Sequence, residues 1–214
     1  MAAACDDRID AIVPRLTWNS LVDSFAFNGA LKMFLISVLL GVGGTSSWIT
    51  GDTGRALDPR FLGWYREALK TNEIPDGLRQ AARKRSVGEV IDQIDAPALL
   101  THGWKDLAYP PRETLRTFHG LRDRGVDTRI IFHNGGHTPR EFIAVTRKER
   151  EYKDRMALRW LDKHVKGKDV PDVPPVSIFE RWERNWRTFD DFPPEGVTRE
   201  SVKLGNIFDS VTSR

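Results

Sequence analysis

Two short runs carry side chains able to take and hold a proton. Thr101-His102-Gly103-Trp104-Lys105-Asp106 follows one apolar stretch, and Phe132-His133-Asn134-Gly135-Gly136-His137 ends another. The apolar stretches, Ala96 to Thr101 and Thr128 to Phe132, read as buried strands, and Pro111 to Arg124 between them reads as an amphipathic helix with Leu115, Phe118 and Leu121 on one face. A strand–helix–strand unit crosses over with one hand, so its strands lie parallel and both following loops leave from the carboxyl edge of the sheet. Asp106 and His137 can therefore meet although they are distant in sequence. A carboxylate that accepts from one imidazole nitrogen fixes the tautomer and leaves the other nitrogen free as a base. Acid first and base second, on consecutive units, is the chain order of the last two members of a nucleophile–acid–base triad.

The elements that must position this pair extend in both directions. A long helix is predicted from Pro139 to Val165, so strand, helix, strand and helix alternate as in an α/β fold with a mostly parallel sheet. Upstream, Ala2 to Cys5 reads as a helix end and Ile9 to Val13 as a short buried strand stopped by Pro14. From Ser20 to Ile94 the signals are helical and interrupted by glycine, and the apolar run Met33 to Val42, too short to span a bilayer, reads as a buried or cap helix. After Gly167, prolines and the β-like runs Val176 to Phe179, Trp186 to Phe189 and Ser201 to Leu204 suggest entry into a separate β domain. The expected segments are 1–19, 20–94, 95–168 and 169–214.

Composition narrows the function classes. With 33 Lys and Arg against 30 Asp and Glu, the net charge of +3 is too small for a nucleic-acid footprint, and 40% hydrophobic with 29% charged residues is globular rather than disordered composition. One cysteine, Cys5, excludes an intrachain disulfide and a Cys-rich zinc site. It reads as a packing residue, and a cytoplasmic setting with no membrane partner is expected. His133 and His137 have the spacing of a helical metal pair, but Gly135 and Gly136 between them argue against a helix, so no metal is expected. His102, at a strand end, is expected to bond locally. Trp104 and Tyr109 flank the acid loop and are candidates for a substrate pocket, with core packing as the alternative.

Several of these runs resemble the Xaa-Pro dipeptidyl-peptidase and cocaine esterase family of serine hydrolases. They are Ile94 to Asp106, Phe132 to His137 and Arg159 to Gly167, joined by Asp6 to Pro14 and by Pro175 to Phe179 with Trp186 and Asp190-Asp191-Phe192-Pro193-Pro194. The resemblance implies a partial α/β-hydrolase with an inserted helical cap and the start of a β-sandwich (jelly-roll) domain. It implies Asp106 as triad acid, His137 as general base, and a small ester, amide or peptide as substrate, with no cofactor. The nucleophile is missing. No serine stands in the Gly-x-Ser-x-Gly setting of a nucleophile elbow, and Ser46 and Ser47 fall in the cap. The elbow is expected just before the helix ending near Cys5, so the chain alone is expected to be a poor catalyst or none. The alternative is an inactive remnant that binds or complements a partner, either a second copy or an N-terminal fragment.

Overall fold

The computed structural model describes residues 1–49, 58–137, 145–198, 200 and 201. A short 3-10 turn, Ala2–Ala4, opens the chain. The segment after it does not form the expected strand at residues 9–13. Residues 12–16 instead run beside the central sheet through two isolated parallel bridges, Ile12 with Ala98 and Arg15 with Thr101. Pro14 has no N–H to give and cannot continue a ladder. Cys5 is exposed, against the expectation of a packing residue.

The segment expected to be a cap, and called the cap below, holds α1 (Leu21–Phe25), β1 (Ala26–Phe27), β2 (Ala30–Leu31), α2 (Met33–Ile49), α3 (Arg60–Thr71) and α4 (Asp76–Arg83). The β1–β2 hairpin interrupts what the sequence suggested was wholly helical. Its turn is Asn28-Gly29, both with positive φ (54° and 78°), the residue pair a tight hairpin favours. Ala26, Ile74 and Leu78 form the cap's small core, with Phe61 and Trp64 packed on it. α2 is not the buried helix its apolar run suggested, because Phe34, Val38, Leu39 and Val42 are exposed. Among the described residues no helix is long and apolar enough to cross a membrane.

The sheet follows the predicted alternation. β3 (Ala98–Gly103), α5 (Pro111–Arg122) and β4 (Thr128–His133) form one crossover unit, and the strands pair in parallel from Ala98 opposite Thr128 to Gly103 opposite His133. Successive side chains of a strand face opposite ways. Ala98, Leu100, Ile130 and Phe132 therefore pack with Phe118 and Leu121 of α5, while Leu99 and Ile131 pack with Met156, Ala157 and Trp160 of α6 (Arg147–His164). Helices on both faces explain why these strands are apolar throughout.

Two expectations shift at the C-terminal side. Residues 138–144, where the long helix was expected to begin, lie outside the described residues, and α6 starts only at Arg147. Thr146 is its N-cap, and a capping box with Glu149 closes its first turn. Beyond Gly167, β5 (Val176–Glu180) and β6 (Asn185–Phe189) do not open a separate sheet. They extend the central one in the order β3-β4-β5-β6, β5 parallel to β4 and β6 antiparallel to β5. Val176, at the start of β5, is wholly buried and joins the core on the α5 side, which gives the edge an apolar reason to pair there. The run Ser201 to Leu204 falls almost entirely outside the described residues.

Candidate active site

Gly103 and Gly135 bring the two loops into contact. An added Cβ on Gly103 would lie 1.8 Å from the Gly135 carbonyl oxygen, so only glycine allows this approach. The loops are stitched by backbone bonds from Trp104 N–H to His133 O (2.8 Å) and from Lys105 N–H to Gly135 O (3.4 Å). The parallel register ends at Gly103 and His133, so Asp106 and His137 leave from the same edge.

There the two side chains meet. His137 Nδ1 lies 2.5 Å from Asp106 Oδ2, with the carboxylate side chain fully buried and the imidazole 33% exposed. The other carboxylate oxygen, Oδ1, accepts from the N–H of Ala108 (3.0 Å) and of Tyr109 (2.9 Å). A carboxylate accepts only, so the proton on Nδ1 points to Asp106 and Nε2 of neutral His137 keeps its lone pair. That is the arrangement of a general base held in one tautomer.

Tyr109 joins the pair from the side, its ring packed edge-on against His137 with centroids 4.8 Å apart. Burial, and then the nearby Asp106 charge, push its phenol pKa up. Trp104 is elsewhere. It stacks on Phe132 at 4.2 Å and faces Phe192, which is packing on the α5 side of the sheet. His102 is buried and bonds locally, to Tyr109 O and the Thr114 hydroxyl. His133 is also buried, with Nδ1 accepting the Gly135 N–H at 3.0 Å, and burial pushes its pKa down to about 3.

One cavity opens onto His137 and a second lies in the segment 20–94. The first, about 400 Å³, is lined by Arg15, Thr101, His133, Gly136, His137 and Lys153. The other, about 350 Å³, is an apolar hollow in the cap with Phe25, Leu39, Phe61, Tyr65 and Leu78 in its wall. The Phe25 ring in its wall is 6.4 Å from that of Tyr109, so two aromatic rings, Phe25 and Tyr109, stand between the hollow and His137.

Sequence reasoning missed Glu149. Wholly buried, it accepts from Asn134 N–H and Thr146 N–H, each at 2.8 Å, and so ties the start of α6 to the loop carrying His137. The signal was present as Thr146-x-x-Glu149, the capping-box spacing.

Comparison with known proteins agrees with this architecture. The family model of the X-Pro dipeptidyl-peptidase (S15 family) matches residues 1–139. Among solved structures the chain is similar to an aminopeptidase from a marine sediment archaeon, Thaumarchaeota archaeon (14% identity, TM-score 0.55, 86% of this chain and 35% of that one). It is also similar to a CocE/NonD family hydrolase from Staphylococcus aureus (15%, TM-score 0.52, 91% and 32%) and to the Pyrococcus horikoshii acylaminoacyl peptidase (18%, TM-score 0.51, 80% and 23%). The chain thus spans about a third or less of the length of these proteins. No protein of curated function matches the sequence. Matched over more than half its length, and with the mostly parallel sheet and flanking helices of a partial α/β-hydrolase, the chain belongs to the X-Pro dipeptidyl-peptidase (S15) family.

Proposed function

We propose that Asp106 and His137 are the acid and base of a serine-hydrolase triad that cleaves an ester, amide or peptide bond. The observation that carries this reading is the hydrogen bond between His137 Nδ1 and the buried Asp106 carboxylate, whose second oxygen is held by two backbone N–H groups. Nε2 of His137 takes the proton of a serine hydroxyl as its oxygen attacks the substrate carbonyl, and later delivers that proton to the leaving group. The imidazolium formed between these steps lies against a carboxylate shielded from water, where opposite charges attract most strongly. Water then hydrolyses the acyl-serine by the same proton transfers.

The apolar hollow, separated from His137 by the rings of Phe25 and Tyr109, favours a substrate that carries an uncharged, apolar group away from the scissile bond. Tyr109 is the nearer of the two pocket candidates, and the stacking of Trp104 on Phe132 favours its packing role. The reading requires no cofactor.

The serine must come from outside these 214 residues, none of which has the elbow setting. The test translates the DNA upstream of Met1 in frame with this chain and assays ester and peptide hydrolysis. Asp106→Asn and His137→Ala should each lower kcat by roughly 10⁴-fold, and full activity in both variants refutes the assignment. The same absence of an elbow serine favours a second reading, a non-catalytic fragment that complements an N-terminal partner or pairs with a second copy. A stop codon or frameshift directly upstream would favour the fragment, and an open frame encoding Gly-x-Ser-x-Gly the enzyme.

A further inference from the structure

The turn after Asp106 is held at both ends of the same two peptide planes. The plane joining Leu107 to Ala108 carries the Leu107 carbonyl on one side and the Ala108 N–H on the other, and a trans peptide points these groups in opposite directions. The next plane does the same with the Ala108 carbonyl and the Tyr109 N–H. Both N–H groups donate to Asp106 Oδ1. Both carbonyls accept from one side chain, the Lys32 ammonium, at 3.0 and 3.1 Å.

Lys32 belongs to the cap, between β2 and α2, and no other element places a side-chain donor on these two carbonyls among the described residues. A cation on the oxygen end of a peptide polarises it and makes its N–H a stronger donor. It also fixes the plane's rotation, and so the direction in which the N–H points. The following carbonyl, that of Tyr109, is fastened from the opposite side by His102 Nε2 at 2.8 Å. A carbonyl only accepts, so the His102 proton sits on Nε2 and its Nδ1 accepts the Thr114 hydroxyl at 2.6 Å. The acid turn is thus clamped between the cap and the sheet.

We propose that Lys32 is a positioning residue through which the cap holds the Asp106 carboxylate in register with His137. The inference rests on the triad reading for its relevance to catalysis, but its geometry concerns the hydrogen-bonded pair alone. It is therefore tested without any turnover. In the 214-residue chain, the His137 Nδ1 proton should give a far-downfield proton NMR resonance that is absent from His137→Ala.

Lys32→Met should speed solvent exchange of this proton by about tenfold or more, the equilibrium equivalent of one lost net hydrogen bond, or broaden it away. Lys32→Arg, which keeps a cationic donor, should restore it. Val173→Ala, a core change outside both loops and the strands that lead into them, lowers stability by a different route and should leave the resonance in place. A Lys32→Met protein that loses thermal stability yet keeps the wild-type resonance and exchange rate overturns the proposal. So does a wild-type spectrum with no such resonance. An intact, Lys32-dependent resonance in a protein whose in-frame extension hydrolyses nothing would reject the hydrolase reading and leave the clamp standing.

Discussion

Lowering the pH should unfasten the loop that carries His137 through His133, the residue that begins it. His133 is 3% exposed, and burial first, then the positive charge of Lys153, pushes its pKa down to about 3 from an ordinary 6.5. As pH falls below 6.5, the unfolded chain takes up a proton that the folded one refuses, so the stability this site contributes is complete above 6.5. It is lost progressively towards pH 3. Each pH unit in that window is worth about 1.4 kcal/mol for one proton, so about 3 kcal/mol should be gone by pH 4.5. Protonation also removes the lone pair that accepts the Gly135 N–H. Urea titrations at pH 7.5, 6.5, 5.5 and 4.5 would measure the effect against His133→Asn, whose side-chain oxygen can still accept from Gly135 but does not titrate. Wild type should lose about 2 kcal/mol more than the variant between pH 6.5 and 4.5. Parallel slopes for the two proteins would refute the claim that His133 is held neutral by the fold.

Two further outcomes follow from the loop contacts. Gly103→Ala places a methyl 1.8 Å from the Gly135 oxygen, a backbone atom that cannot rotate away, so the loops must part. Urea unfolding should show a loss of about 3 kcal/mol or more, the upper end of overpacking costs, together with loss of the His137 Nδ1–H resonance. Glu149→Gln presents an NH₂ group where a carboxylate oxygen now accepts from Asn134 or Thr146, at a cost of about 2 kcal/mol. The same measurement checks it, and an unchanged midpoint would mean that the buried carboxylate bonds contribute nothing.

The parts of this molecule legible in its sequence are those governed by local pattern. The two central strands and the helix between them follow from unbroken apolar runs separated by an amphipathic stretch, and the common edge for Asp106 and His137 follows from the hand of the crossover alone. The features that escaped depend on contacts between distant elements or on signals overridden by a stronger one. Asn28-Gly29 is a hairpin signal, but two-residue strands on either side left no alternation to accompany it. The capping box at Thr146 and Glu149 was hidden inside an apparent helix that continued upstream. β5 and β6 read correctly as strands, yet strand pattern does not say which sheet a strand joins, and burial of Val176 against the α5 face is a tertiary fact. Lys32 gave no signal at all, since a lysine beside a helix is ordinarily solvated.

Both strand-end histidines brace the loop that follows their own strand, and they do so from opposite faces. His102 shares the α5 face with Ala98 and Leu100, and its Nε2–H fastens the carbonyl of Tyr109. His133 shares the α6 face with Ile131, and its Nδ1 accepts the N–H of Gly135. Burial lowers the pKa of each, so each ring is held neutral, but the two bonds respond differently to a proton. A protonated His102 still donates to Tyr109 and loses only its acceptance from Thr114, whereas a protonated His133 loses the bond to its loop outright. Of the two histidines it is therefore His133 whose protonation releases the loop it braces, the one leading to His137, whereas the turn after Asp106 keeps its bonds from His102 and Lys32.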